Sequence, residues 1–458
     1  MNILSNKEKD KLLELYYVPK KAYYPIIIIF SSLILITSII IIILCATSTN
    51  ELYEDEELLP GYIPINSIEA NYYISDTSQK ILLYNPNYSY LIHTIKIDEE
   101  KISEVNNKLL FNTSGEHTVK LSLKKPLKTT ENFFMNCKEL ISVNLSNLTS
   151  ENIHSCANMF HNCTSLLNVD LSNFDSKELT NISKMFYNCN SLKSIDINNF
   201  NGGKLNDISG LFYNCYNLSI INSRRFYTRY VLNMSYLFYH CESLDELLLY
   251  INTNNVLDMS HMFEGCHNLT FIQQYFNTRN VLYMNNMFDG CEKLQNLSLY
   301  NFKTFSLINM SYMFNDCKNL TNLNFSYFYS LNVRDMSYMF SGCESINRIN
   351  LGYLNTSNLI NMSHLFYNCL NLSELDMEEF NTDKVENMDY LLYGCQNLNY
   401  INFTSFNTTL VESLNNTKNI FEGLSSESGV FACKADLFSD NIWEQLPKSW
   451  KTDENRCK

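Results

Sequence analysis

Glycine and proline are scarce, at 12 and 7 in 458 residues. A chain so poor in both lacks the composition of disordered segments and long flexible linkers. Lysine and arginine form no run, and the formal charge is −14. That removes the basic stripe on which nucleic-acid binding depends. Cysteines are numerous (15), yet no two are spaced C-x-x-C, so zinc-ribbon and thioredoxin-type motifs are excluded. What the chain does have is apolar surface. Hydrophobic residues make up 45% and aromatics 13%, enough to bury a large core.

One long apolar run is present. Ile26 to Ala46 carries no charge, and about 21 residues at ~1.5 Å each match a hydrocarbon core of roughly 30 Å. Lys7, Lys9, Lys11, Lys20 and Lys21 precede it, and Glu51, Glu54, Asp55, Glu56 and Glu57 follow it. The positive-inside rule then predicts a single-pass protein with its N-terminus cytoplasmic and its bulk extracellular. A cleaved signal peptide is the alternative, disfavoured by the length of the run.

The rest of the chain is periodic. Cys137, Cys163, Cys189, Cys215, Cys241, Cys266, Cys291, Cys317, Cys343, Cys369 and Cys395 recur every 25 or 26 residues. Phenylalanine stands three before the cysteine, from Phe134 to Phe366, with Leu392 closing the series; Leu or Ile stands three after it. Val333, Met336, Met339, Phe340, Cys343 and Ile346 advance by threes and fours, which predicts one face of a short α- or 3₁₀-helix. Leu320, Leu323 and Phe325 follow L-x-x-L-x-L, which predicts a short strand. Neither half can bury its apolar face alone, so units must stack. The helical side is expected to be the more widely spaced, which would keep the cysteines beyond disulfide reach.

The expected fold is therefore an α/β solenoid of 11–12 leucine-rich-repeat units, each a short strand plus a short helix, preceded by one transmembrane helix. The expected division is a cytoplasmic tail (1–25), the transmembrane helix (26–46), an acidic spacer (47–70), a small β-rich cap (71–124), the solenoid (125–424) and a C-terminal cap (425–458). The units NMSYMFNDCKNLTNLNFSYF and NISKMFYNCNSLKSIDINNFN, with the segment SGEHTVKLSLKKPLKTTENFFMNC before them, resemble the BspA-type 26-residue repeat of microbial surface proteins. The resemblance implies a surface-exposed repeat protein with roles in adhesion and host contact, and it carries over no catalytic residues.

Candidate residues emerge from that frame. On the predicted concave strand face, Tyr250, Tyr275 and Tyr300 succeed one another, with Tyr327 and Tyr353 one step further along and Arg224, Arg225 and Arg229 nearby. Tyrosine and arginine are the types enriched in binding hot spots. Cys433 and Cys457 stand outside the ladder as a possible disulfide. Asn87, Asn112, Asn181, Asn233, Asn309, Asn361 and Asn407 open Asn-x-Ser/Thr sequons. The histidines form no recognised motif, so no catalytic, cofactor-binding or metal-ligating set is expected, and no cofactor. The reading is a non-enzymatic, membrane-anchored surface protein binding an extracellular protein, glycoprotein or polysaccharide and no nucleic acid. The alternative is a structural coat or spacer protein.

Overall fold

The computed structural model describes residues 66–450 except 274, 275, 301, 322, 324, 326, 327, 329, 352, 353 and 426–429. Contacts divide the chain at 63/64, and every described residue belongs to the second unit.

The N-terminal part is antiparallel β-structure. Strands β1 (Ser67–Ile74), β3 (Ile92–Ile97), β4 (Glu100–Lys101) and β6 (Gly115–Leu123) share one sheet, while β2 (Ile81–Leu82) and β5 (Lys108–Leu109) pair with each other in a separate two-stranded sheet. Strand β1 begins inside the stretch expected to be a spacer. It pairs with β6 on one edge and, on the other, with β7 (Leu140–Asn144), the first strand of the array. The cap thus covers the array's first sheet edge, which would otherwise offer unpaired backbone.

From there most periods add one strand in parallel register; among the described residues no strand stands in the two periods between Gln273 and Arg348, where Leu320, Leu323 and Phe325 were expected to form one. The strands are β8 (Asn168–Asp170), β9 (Ser194–Asp196), β10 (Ile220–Asn222), β11 (Glu246–Leu248), β12 (Phe271–Gln273), β13 (Arg348–Asn350), β14 (Glu374–Asp376), β15 (Tyr400–Phe403) and β16 (Phe431–Lys434). Equivalent residues pair across units, as in Ile195 with Ile221 and Leu375 with Ile401. Two short helices, α1 (Thr409–Ser413) and α2 (Asp440–Trp443), close the end.

The other half of each unit corrects the helical expectation. It is a ladder of turns, not a helix. In the unit after Asn181, the N–H groups of Ile182, Lys184, Phe186 and Asn188 donate to Asp207, Ser209, Leu211 and Tyr213 of the next unit, at 3.2, 2.9, 3.0 and 2.8 Å. The intervening N–H groups of Met185, Tyr187 and Cys189 close turns onto the residue three before. Two left-handed residues per unit, such as Lys184 (φ 53) and Asn188 (φ 58), make this alternation possible and break any helix. Apolar steps of three and four suit such turns as well as they suit a helical face. Because backbone bonds join the units here too, the wider spacing expected on this side is not found. Ten parallel bridges, from Thr129 with Ser155 to Asn361 with Asn387, run along the described array.

The expected localisation is also corrected. Among the described residues no helix is long and apolar enough to cross a membrane; their longest has six residues, where a span needs about 20. Residues 26–46, on which the single-pass topology rested, lie outside the described residues.

The interior consists of columns. Phenylalanine rings from Phe134 to Phe366 stack at 5.4–5.8 Å with interplanar angles of 12° or less. Beside them run the cysteines, all buried. Ten successive thiols, Cys163 to Cys395, donate at 3.0–3.2 Å to the carbonyl of the phenylalanine one unit earlier. That carbonyl also accepts the N–H of its own unit's cysteine, as Phe160 does from Cys163, so the thiol fills its second acceptor site. Burial pushes the thiols from Cys163 to Cys369 up, to about 12 at Cys266, which leaves them unreactive.

One charged pair fastens the cap. Asp98 and Glu99 form a two-residue hairpin turn between β3 and β4, both left-handed. Asp98 accepts from the Thr118 N–H at 2.9 Å and lies 2.7 Å from His117 Nδ1; His117 Nε2 lies 2.9 Å from the Thr113 carbonyl. Burial opposes charge on the ring, but these two acceptors outweigh it and raise the His117 pKa. The bond to His117 lowers that of Asp98. The pair's stabilisation is therefore full at mildly acidic pH. It is lost as pH rises through the raised histidine value, and again as pH falls through the depressed aspartate value. His117→Gln should cost about 1–2 kcal/mol at pH 6 and remove the alkaline fall in cap stability. Melting curves from pH 5 to 9 test this; parallel pH profiles for the two proteins would refute it.

Candidate functional site

The strand side carries the best candidate surface, and local sequence explains how it is held. Between β10 and the next turn, Phe226, Thr228 and Val231 are buried, while Tyr227, Arg229 and Tyr230 face outward. Thr228 is the clamp. Its hydroxyl donates to the Asn252 carbonyl at 2.9 Å and accepts the Asn252 N–H at 2.7 Å. Thr253 repeats the device toward Asn277 one unit on, at 3.1 and 2.8 Å. The exposed residues therefore project from backbone pinned to the next unit, and little ordering remains to be done on binding.

Tyr227, Arg229 and Tyr230 line a shallow hollow of about 350 Å³ together with Tyr250, Phe226 and Asn252. The three tyrosines are 54%, 54% and 58% exposed. The Arg229 guanidinium lies 5.7 Å from the centre of the Tyr230 ring, which holds the cation over an aromatic face. Arg224 and Arg225 are exposed just before this loop, and the Arg225 N–H donates to Asn198 Oδ1 at 2.8 Å. On the neighbouring strands Ile220, Leu248 and Phe271 are also exposed. An apolar, tyrosine-rich zone thus occupies the middle of the strand face.

The flanks differ. Toward the cap, a hollow of about 640 Å³ is lined by Asp170, Asp196, Asn198 and Asn222. Toward the other end, one of about 730 Å³ is lined by Glu374, Asp376, Glu378 and Glu379 with Arg348, whose guanidinium is 2.6 Å from Glu374. These larger hollows carry acidic groups beside apolar ones, Val169, Leu171 and Ile195 in the first and Leu323 and Ile349 in the second.

Of the tyrosines singled out in the sequence, Tyr250 and Tyr300 are exposed. Tyr275, Tyr327 and Tyr353 lie outside the described residues. Tyr227 and Tyr230 were missed, because their outward direction follows from the Thr228 clamp and not from the strand alternation. A second aromatic surface, on the turn side, was also missed. His161, Tyr187, Tyr213 and Tyr239 stack at 4.3–4.4 Å, and Tyr312, Tyr338, His364 and Tyr390 at 4.1–4.7 Å. Its signal was legible as tyrosine or histidine recurring two and five residues before the cysteine. His161 and His364 bury a ring nitrogen with no partner among the described residues, and burial lowers their pKa.

Four sequon asparagines have a local structural role. Asn181, Asn233, Asn309 and Asn361 each accept the N–H of the serine two residues on, at 2.8–3.1 Å. Asp207, Asp258 and Asp335 do the same in other units, each at 2.9 Å. The turn needs only the side-chain oxygen, so the Asn-x-Ser pattern follows from the repeat's turn chemistry. Asn407 accepts from the Thr409 N–H in the same way; Asn87 and Asn112 are exposed. Cys433 is disulfide-bonded, whereas the other twelve described cysteines are free. Cys457 lies outside the described residues.

Comparison with known proteins places these features in context. The family described as Mycoplasma protein of unknown function, DUF285, matches residues 128–248, 206–328 and 334–426. The BspA type leucine rich repeat region matches residues 70–176. No curated protein matches. Among solved structures, the TLR13–ssRNA13 complex is similar at 14% identity and a TM-score of 0.21, over 68% of this chain and 50% of that one. The chain thus spans half the length of that relative. The functional domain of InlJ from Listeria monocytogenes, which includes a cysteine ladder, is similar at 12% identity and a TM-score of 0.17, over 67% of this chain and 68% of that one.

Proposed function

Because the chain belongs to the DUF285 family and is a BspA-type leucine-rich-repeat protein, we propose that it is a non-catalytic binding protein that engages a protein partner through the middle of its strand face. The observation that carries this reading is the Tyr227, Arg229, Tyr230 and Tyr250 hollow. Its residues are those of interface hot spots, held on backbone anchored by Thr228. Exposed Ile220, Leu248 and Phe271 beside it supply the apolar contact area such an interface needs. A partner's carboxylates would meet Arg224, Arg225 and Arg229.

The test is photo-crosslinking in cells, with the full-length chain carrying a photoreactive residue at Tyr250 or, as the opposite-face control, at Asp316. Discrete protein adducts are expected from position 250 only. Against the recovered partner, Tyr227→Ala, Arg229→Ala and Tyr230→Ala together should weaken binding about 100-fold, taking roughly 1 kcal/mol from each residue. Equal adducts from both positions, or unchanged affinity of the folded triple variant, would dismiss the surface. Adducts that vanish when glycans are removed would move the partner to the carbohydrate class.

A further inference from the structure

We propose that His240, Glu242 and His267 form a binding site for a divalent transition-metal ion of the zinc class on the turn side of the array. One ligating atom of each residue lies within 4.8 Å of the other two, and all three side chains are half-buried. The site falls where a regular feature of the repeat is interrupted. In the four preceding units, Asn136, Asn162, Asn188 and Asn214 stand just before the cysteine. Their side-chain amides bond one to the next at 2.7–2.9 Å. His240 takes the next rung and ends this ladder.

The geometry around His240 leaves room for its ring. Its backbone is left-handed (φ 52) and its N–H donates to the Glu264 carbonyl at 2.7 Å, which fixes the root of the side chain. The following rung is Gly265, where a Cβ would sit 2.6 Å from His240 Nδ1. Glu242 brings a carboxylate oxygen to 3.6 Å from that same Nδ1. His267 comes from the next turn, and its Nδ1 lies 2.9 Å from the Gly290 carbonyl. A carbonyl only accepts, so Nδ1 carries the proton and Nε2 keeps its lone pair. Metal-binding histidines are commonly oriented by such a backbone bond.

The ligand types select the ion. Two imidazoles and one carboxylate suit zinc and its first-row neighbours, whereas calcium and magnesium require sets dominated by oxygen. Bonds of about 2.0–2.2 Å require the three atoms to draw in slightly, which rotation of the flexible Glu242 side chain provides. Water would complete a tetrahedron on the exposed side. The ion would tie the turn at Cys241 to the turn at Cys266, restoring across this step the lateral link that the asparagine ladder supplies before it. None of this depends on the strand-side reading.

Chelator-treated full-length protein titrated with zinc chloride should bind one ion by calorimetry and melt at least ~2 °C higher when saturated. Calcium and magnesium should do neither. The repeat itself provides non-disruptive variants. His240→Asn restores the residue of the four earlier rungs, and His267→Asn installs the residue found at Asn190. The double variant should lose zinc affinity by about 100-fold or more, and Glu242→Gln by about 10-fold. The proposal is overturned if zinc produces neither heat nor a melting shift, or if the folded double variant binds it as tightly as the parent.

Discussion

Replacing Phe263 by alanine should destabilise the array by about 3–5 kcal/mol, while leucine at the same place should cost less than about 1.5 kcal/mol. Phe263 is fully buried, and its ring stacks at 5.5 Å on Phe238 and 5.4 Å on Phe288. Truncation removes both ring contacts at once. The neighbours cannot close the gap, because the backbones of Phe238 and Phe263 are each tied to the following unit at 2.9 Å. Leucine is accepted because the column itself ends on Leu392, fully buried at the phenylalanine position. Urea unfolding followed by circular dichroism gives both values. A lower m-value in the alanine variant would show the array breaking into two cooperative parts at the damaged unit, as one-dimensional stacking allows. A loss below about 1 kcal/mol for alanine would mean that the ring column is not what holds adjacent units together.

The same columns show how much of the fold could be read from sequence. A constant period assigned the Phe, Cys and Leu positions to the interior, and all of them are buried, because in a stack equivalent residues must share one environment. The turn side was misread for a physical reason. Steps of three and four between Ile182, Met185, Phe186 and Cys189 fit a helical face and a run of tight turns equally well. The deciding signal was nonetheless present. Just before the cysteine stand Asn136, Asn162, Asn188, Asn214, Gly265, Gly290, Asp316, Gly342, Asn368 and Gly394, all left-handed. Asparagine, glycine and aspartate recurring there mark a residue that must leave the helical region. His240 and His267 were set aside because they form no recognised motif, with 26 residues lying between them. One stacked turn cancels nearly all of that distance, so motif spacings defined for local sequence do not apply inside a solenoid. Tyr227 and Tyr230 needed the Thr228 clamp before their direction was known.

Removing one whole period should leave a folded protein, and removing half of one should not. Deletion of residues 318–343 joins Cys317 to Glu344 and takes out one 26-residue unit. The flanking surfaces then meet in register. Phe314 would stack on Phe366 in place of Phe340, and Tyr312 on His364 in place of Tyr338. The Met310 N–H, now bonded to Asp335, would find the equivalent carbonyl of Asn361, which at present serves Met336. Only one unit's contribution and one interface are lost, so cooperative unfolding should persist with a modest fall in midpoint. Deletion of residues 318–330 instead opposes the strand side of one unit to the turn side of the next. Parallel pairing fails along the junction, the cysteine thiols lose their carbonyls, and apolar faces on both sides are left uncovered. Buried polar groups without partners cost about 1–3 kcal/mol each, and several such losses exceed the 5–15 kcal/mol that stabilises a typical domain. The shorter deletion should therefore be insoluble or lack a cooperative transition, although it removes half as much protein. Comparable solubility and melting of the two deletions would show that the units are not interchangeable layers of one stack.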